Sequence, residues 1–221
     1  MATLHLTGDD RADELVSNDP LALLIGMVLD QQFPIERAFR GPAELVERLG
    51  ISVPIDAGLI ASTDPGVLVE AFARFPSLHR YPASMAARVQ ALCRVVRDEY
   101  GGDASSIWST AGDGMELRAR VEALPGFGAQ KARIFVALCG KQLGARPPGW
   151  EEASAPYGEA GSFRSVADIV DAASLAEVRR RKQEAKARAR AGAEAEAGAG
   201  AGAGAGASAP RRRRAQPRRA Q

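Results

Sequence analysis

Apolar positions through most of the chain recur at helical spacing rather than in alternation. Leu21, Leu24, Ile25, Val28 and Leu29 mark one stripe, and Ala22, Leu23 and Met27 occupy the remaining faces. A segment apolar on every side predicts a central, enclosed helix. Asp19-Pro20 supplies its start: a capping carboxylate, then a proline at the first helical position. Asp64-Pro65 repeats that signal ahead of Leu68 and Phe72. Ser84 is placed to cap a long helix striped by Met85, Val89, Leu92 and Val96, which Gly101-Gly102 ends. Asp113-x-x-Glu116 reads as a capping box before Leu117, Val121 and Leu124, and Ser174-x-x-Glu177 as a later helix start. Leu4 to Leu6 alternates too briefly to define a strand. There is no repeat of 20–50 residues. The pattern predicts an all-α fold.

The C-terminal end changes character. Residues 191–209 are an Ala/Gly run, and Arg211–Arg214 with Arg218 and Arg219 close the chain. Such a run has little to bury and much backbone entropy to lose. The expected organisation is a helical domain over 1–190 and a disordered basic tail over 191–221. Charge divides in a similar place. The chain holds 29 Lys/Arg and 27 Asp/Glu; from Arg179 onward there are 13 and 3, which leaves 16 and 24 in residues 1–178. The predicted folded part is therefore acidic, so any nucleic-acid contact there must be local, with the tail adding long-range attraction.

A hydrophobic fraction of 46% suffices for a packed core. No apolar run approaches 18 residues, and the N-terminus lacks the basic and apolar regions of a signal peptide, so no membrane partner is expected. Cys93 and Cys139 lie in apolar helical patterns and read as buried thiols. Two cysteines and two histidines cannot build a zinc site or a four-cysteine iron–sulfur cluster. A monomer in a reducing, bacterial-type cytoplasm is expected.

Leu124-Pro-Gly-Phe-Gly128 lies between two amphipathic segments, roughly 115–123 and 129–139. Two glycines two apart permit a tight turn with exposed amides. The second helix would start at or just after Gly128, where unpaired N–H groups and the macrodipole make an anion site suited to a DNA phosphate.

Leu-Pro-Gly-Phe-Gly-x-x-x-Ala resembles the hairpin of the helix–hairpin–helix base-excision DNA glycosylases, the superfamily of endonuclease III and adenine glycosylase. Leu23 to Gln32 resembles that superfamily's early buried helix, and Arg80 to Val89 the start of its long helix. Order and separation agree over about residues 18–145. The resemblance implies a base-excision repair protein, associated with the nucleoid, that binds duplex DNA through Leu124, Gly126, Phe127, Gly128, Gln130 and Lys131. Gln32, or else Gln31, would fill the gap left by an extruded base. No iron–sulfur cluster is implied; the resemblance allows a monovalent cation at the hairpin.

In that superfamily a carboxylate near the sugar stabilises positive charge as the base departs. Bifunctional relatives also carry a nucleophilic lysine two residues after the second hairpin glycine. That position is Gln130 here, with Lys131 one residue later and about 100° around a helix. A monofunctional, water-using enzyme is implied, with Lys131 the nucleophile only if the register slips by one. The usual acid position falls at Pro148 to Trp150, which holds no Asp. The alternatives are Asp168, which requires an insertion including Tyr157, Gly158, Gly161 and Phe163; Glu151 or Glu152; or no working carboxylate. Trp150 is a stacking candidate. Three readings stay open: a monofunctional glycosylase, a non-catalytic DNA-binding or damage-sensing module, and a partner-binding core whose arginine tail alone touches nucleic acid.

Overall fold

In the computed structural model the described residues are 3–202, with side chains described to residue 188 and at residue 191. Among them the secondary structure is helical throughout: α1 (Asp10–Asn18), α2 (Pro20–Leu29), α3 (Ile35–Leu49), α4 (Ala57–Ser62), α5 (Pro65–Ala73), α6 (Pro82–Glu99), α7 (Ser106–Ser109), α8 (Gly114–Glu122), α9 (Ala129–Leu138), α10 (Trp150–Ser154) and α11 (Ala172–Gly202). A π-turn, Cys139–Leu143, extends α9, and a 3-10 turn, Val166–Asp168, precedes α11. The chain divides into two units, Met1–Arg181 and Lys182–Gln221. The backbone of 191–202, where the sequence suggested disorder, belongs to α11; residues 203–221 of the expected tail lie outside the described residues.

Within the first unit, α2 is enclosed as its all-round apolar pattern predicts: every residue from Leu21 to Leu29 is buried. Asp19 starts it. One carboxylate oxygen accepts from Leu21 N and Ala22 N, each at 2.9 Å, and the other from Ile55 N at 2.7 Å. A buried acid thus caps the helix and pins the segment before α4. Helix α3 crosses α2 closely because both carry glycine at the contact. A Cβ on Gly26 would lie 2.6 Å from Phe39 Cδ1, and one on Gly41 would lie 2.4 Å from Leu29 Cδ1. Helices α1, α5 and α6 pack against this pair and α4 packs on α6, while α7 to α10 form a second group in which α9 packs on α8 and α10.

The expected helix starts need three adjustments. Helix α6 begins at Pro82, with Tyr81 at the cap, because proline needs no N–H partner there; Ser84 lies inside the first turn. Asp113 caps α8 through Glu116 N, but Glu116 reaches Gly112 N instead of closing the reciprocal half of the box. Asp171, not Ser174, receives the amide at the start of α11: Ser174 N donates to its carboxylate at 2.7 Å. Both cysteines are buried and unbridged, and burial pushes the Cys93 thiol up to about 12.

Replacing Gly26 by Ala should destabilise the protein by about 1–3 kcal/mol, because the methyl group meets the Phe39 ring. Urea unfolding should show a lower midpoint at unchanged slope; an unchanged midpoint would mean that α2 and α3 do not cross this tightly.

Candidate nucleic-acid interface

The hairpin turn forms between α8 and α9. Phe127 N donates to Leu124 O at 3.0 Å and closes it. Gly126 has φ +88°, a conformation that glycine adopts without strain, and a Cβ there would touch both Val28 methyl carbons at 3.2 Å. Gly128 is extended, and α9 starts immediately after it. The N–H groups of Gly126, Gly128, Ala129 and Gln130 have no acceptor among the described residues. Gly128 and Gln130 are exposed and Ala129 half-buried, so amides at the positive end of a ten-residue helix face solvent.

Leu124 and Phe127, expected to touch DNA, are instead buried. Phe127 meets Phe135 edge-to-face, with ring centroids 6.1 Å apart. These two side chains anchor the turn from below, because apolar groups beside a tight turn gain more from the core than from a solvated phosphate. Lys131 also turns inward. Its Nζ donates to Met27 O at 2.6 Å and Val28 O at 3.3 Å, carbonyls in the last turn of α2. An ammonium at a helix C-terminus is favourably placed, and here it ties the hairpin to α2. Gln130 donates to Tyr157 Oη at 2.8 Å.

The loop after α2 meets the start of α6 beside the hairpin. Arg88 on α6 donates to Gln31 Oε1. His79 Nε2 donates to Gln31 O at 3.1 Å, while its Nδ1 accepts from Tyr81 N at 3.1 Å. Gln31 is thereby occupied. Gln32 is exposed, has no side-chain partner among the described residues, and holds φ +53°, strained for a residue with a Cβ. Phe33 packs on His79 at 4.7 Å, Arg37 lies over Phe33 at 5.4 Å, and Arg80 over Tyr81 at 5.5 Å. Tyr81 is 52% exposed. The result is a local surface of arginines, aromatic rings and unpaired amides on an otherwise acidic domain. Sequence reasoning left His79 without a role; an isolated histidine carries no spacing signal, and only the packing shows that it joins the two loops.

The candidate acids lie elsewhere. Asp168 is buried beside the π-turn, bonded to Lys141, which follows Gln130 by eleven residues. Its Oδ1 accepts from Lys141 Nζ at 2.6 Å; its Oδ2 accepts from Ser162 Oγ (3.0 Å), Arg164 N (2.9 Å) and Ser165 N (3.3 Å). Both oxygens are thus engaged by protein donors. Glu151 and Glu152 are exposed on the first turn of α10, and Glu151 borders the same cavity as Asp168. None of the three makes a hydrogen bond with the hairpin.

Among the described residues no cluster of three or more His, Cys, Asp or Glu could hold a metal ion. A monovalent cation at the hairpin would rely on main-chain carbonyls, and those of Leu124 and Gly128 already accept amides from Phe127 and Ala132. Among the described residues no helix is long and apolar enough to cross a membrane. No protein-family model, curated protein or solved structure matches this chain.

Burial, and then the positive charges of Arg80, Lys131 and Arg88, lower the His79 pKa, opposed by its bond to Gln31. The unfolded chain therefore binds a proton at higher pH than the folded protein. Stability from this site should be complete above the ordinary histidine value of about 6.5 and should fall as pH drops below it. Melting temperature between pH 7.5 and 5.5 should decline in the wild type and stay flatter in His79→Gln; parallel curves would contradict a neutral buried imidazole. The carboxylates with lowered pKa values titrate below this window.

Proposed function

We propose that this protein binds duplex DNA through the Gly126–Gln130 amides and works in base-excision repair as a helix–hairpin–helix, monofunctional DNA glycosylase. The observation that carries the reading is the exposed, unpaired start of α9, which Gly126 and Lys131 hold against the end of α2 that leads into the Gln31–Gln32 loop. A backbone phosphate can accept from consecutive amides without any basic side chain, which suits a domain whose acidic groups outnumber its basic ones. Tyr81 offers an exposed ring to unstacked bases, and Gln32 offers an amide with both donor and acceptor capacity to the partner of an extruded base. Gln130 in place of lysine, and Lys131 turned onto α2, support hydrolysis by water over an amine nucleophile.

A second reading, a damage sensor that binds without cleaving, is favoured by one observation. Asp168 accepts from Lys141 and three further donors, so its charge is already compensated within the protein.

Two measurements decide. Ala129→Pro removes one anion-facing N–H at the first helical position, where proline is tolerated after an extended residue. Duplex affinity should fall by roughly tenfold or more, the scale of a lost hydrogen bond to a charged group, with the melting temperature retained. Unchanged affinity would remove the hairpin from the interface. Single-turnover release should then be followed on duplexes bearing uracil, oxidised purines, alkylated bases or mismatches. Release from one of them, lost in Asp168→Asn or in Glu151→Gln/Glu152→Gln, supports the glycosylase. Tight binding with no release from any of them selects the sensor.

A further inference from the structure

Among the described residues Phe75 is the most exposed large apolar side chain: 94%, against 59% for Met115. A lone apolar residue in water needs no explanation by itself. The way the backbone on either side of this one is held does.

The loop between α5 and α6, which carries Phe75, is clamped from α3. Arg48, whose side chain is 9% exposed, donates to Ala71 O at 2.8 Å, Arg74 O at 2.9 Å and Pro76 O at 2.6 Å. Arg37 donates to Ser77 O at 3.2 Å, and Leu78 N closes the loop on Phe72 O at 3.0 Å. The carbonyls flanking Phe75 are thus fixed by a buried guanidinium. A partner that covers the ring has no loop to order, which lowers the cost of binding.

The charge around the ring is cationic. Residues 71–97 contain no Asp or Glu and five arginines, in a domain where acids outnumber bases. The exposed guanidiniums of Arg74 and Arg80 have no hydrogen-bond or ion-pair partner among the described residues. Of the acids on α3 and α5, Glu44 is bonded to Arg48 and Glu36 to Arg179, which leaves Glu47 and Glu70 exposed. Both lie on the helices rather than in the loop. Against them stand Arg37, Arg74 and Arg80, all exposed.

An aromatic ring among unpaired guanidiniums suits a chain that offers planar rings and regularly spaced negative charge. In a duplex the base faces are covered by stacking; in a single strand they are free. We propose that the α5–α6 loop is a docking site for single-stranded nucleic acid, with a base stacked on Phe75 and the flanking phosphates on Arg74 and Arg80. The site is separate from the hairpin amides and does not rest on the base-excision reading.

The test uses the full chain. Phe75→Ala removes a ring that is almost wholly in water, so the fold is retained, and Phe75→Trp restores an aromatic face. The arginine-rich C-terminal sequence attracts any polyanion, so the readout is a ratio. Affinity for oligo(dT) is divided by affinity for an abasic oligomer of equal length, both followed by fluorescence anisotropy. The ratio should be roughly tenfold or more in the wild type, the scale of one base stacked on an aromatic side chain. It should fall to about one in Phe75→Ala and recover in Phe75→Trp. Arg74→Gln should weaken both oligomers together and reduce the slope of log affinity against log salt by about 0.7. A wild-type ratio near one, or a ratio unchanged in Phe75→Ala, overturns the proposal. So does an acidic, aromatic peptide that binds through Phe75 where oligo(dT) does not, which would make the loop a protein contact. Ala129→Pro should leave the ratio unchanged; a ratio lost there but kept in Phe75→Ala would put the strand on the hairpin instead. A wild type with the Phe75-dependent ratio but no duplex affinity supports this site and refutes the proposed duplex-binding function.

Discussion

A helix apolar around its whole circumference must be surrounded by protein, and α2 imposes that demand on everything near it. Nine consecutive residues are buried. On one side Gly26 and Gly41 let α3 approach until side chain meets backbone. At its start the buried carboxylate of Asp19 replaces solvent for two helical amides and for Ile55. At its end the carbonyls of Met27 and Val28 take Lys131, and Val28 receives the hairpin at Gly126. The hairpin and the Gln31–Gln32 loop are thereby held by the same terminus. A helix end buried without such partners would cost several unpaired groups, so the packing that satisfies α2 also assembles the candidate interface.

The electrostatics follow a local rather than a global logic. Residues 1–178 carry more acid than base, yet Arg37, Arg80, Arg88 and Lys131 gather around Phe33, His79 and Tyr81. The fields of Arg80, Lys131 and Arg88 add to burial against a proton on His79, which keeps the imidazole available as one donor and one acceptor between two loops. Backbone amides carry no net charge, so their attraction to phosphate acts at contact distance and survives an unfavourable overall balance.

Helix α9 joins two different chemistries. Its first turn presents amides, and its last turn, widened into a π-turn, presents Lys141 to Asp168 and the cavity beyond. Gln130 and Lys141 are eleven residues apart, close to three whole turns, so they lie near one face of the helix. Helix α10 and the loop after it cover that face, with Trp150 on Gly140 at one end and Tyr157 on Gln130 at the other.

Local chemistry was legible in the sequence wherever a residue acts on its own neighbours. The enclosed helix, the capping roles of Asp19, Asp64 and Asp113, and the Gly-x-Gly turn ahead of α9 all follow from periodicity and backbone preference within a few residues. Contacts between distant segments were not legible, because a side chain's partner depends on how helices cross. Leu124 and Phe127 stand in the hairpin yet face the core; Lys131 reaches across about a hundred residues to α2; Asp168 finds Lys141 rather than the turn. Sequence spacing determined which groups could act as anion donors, cations or acids. Only tertiary packing decided which of them still have unused bonding capacity, since burial and pairing consume it elsewhere.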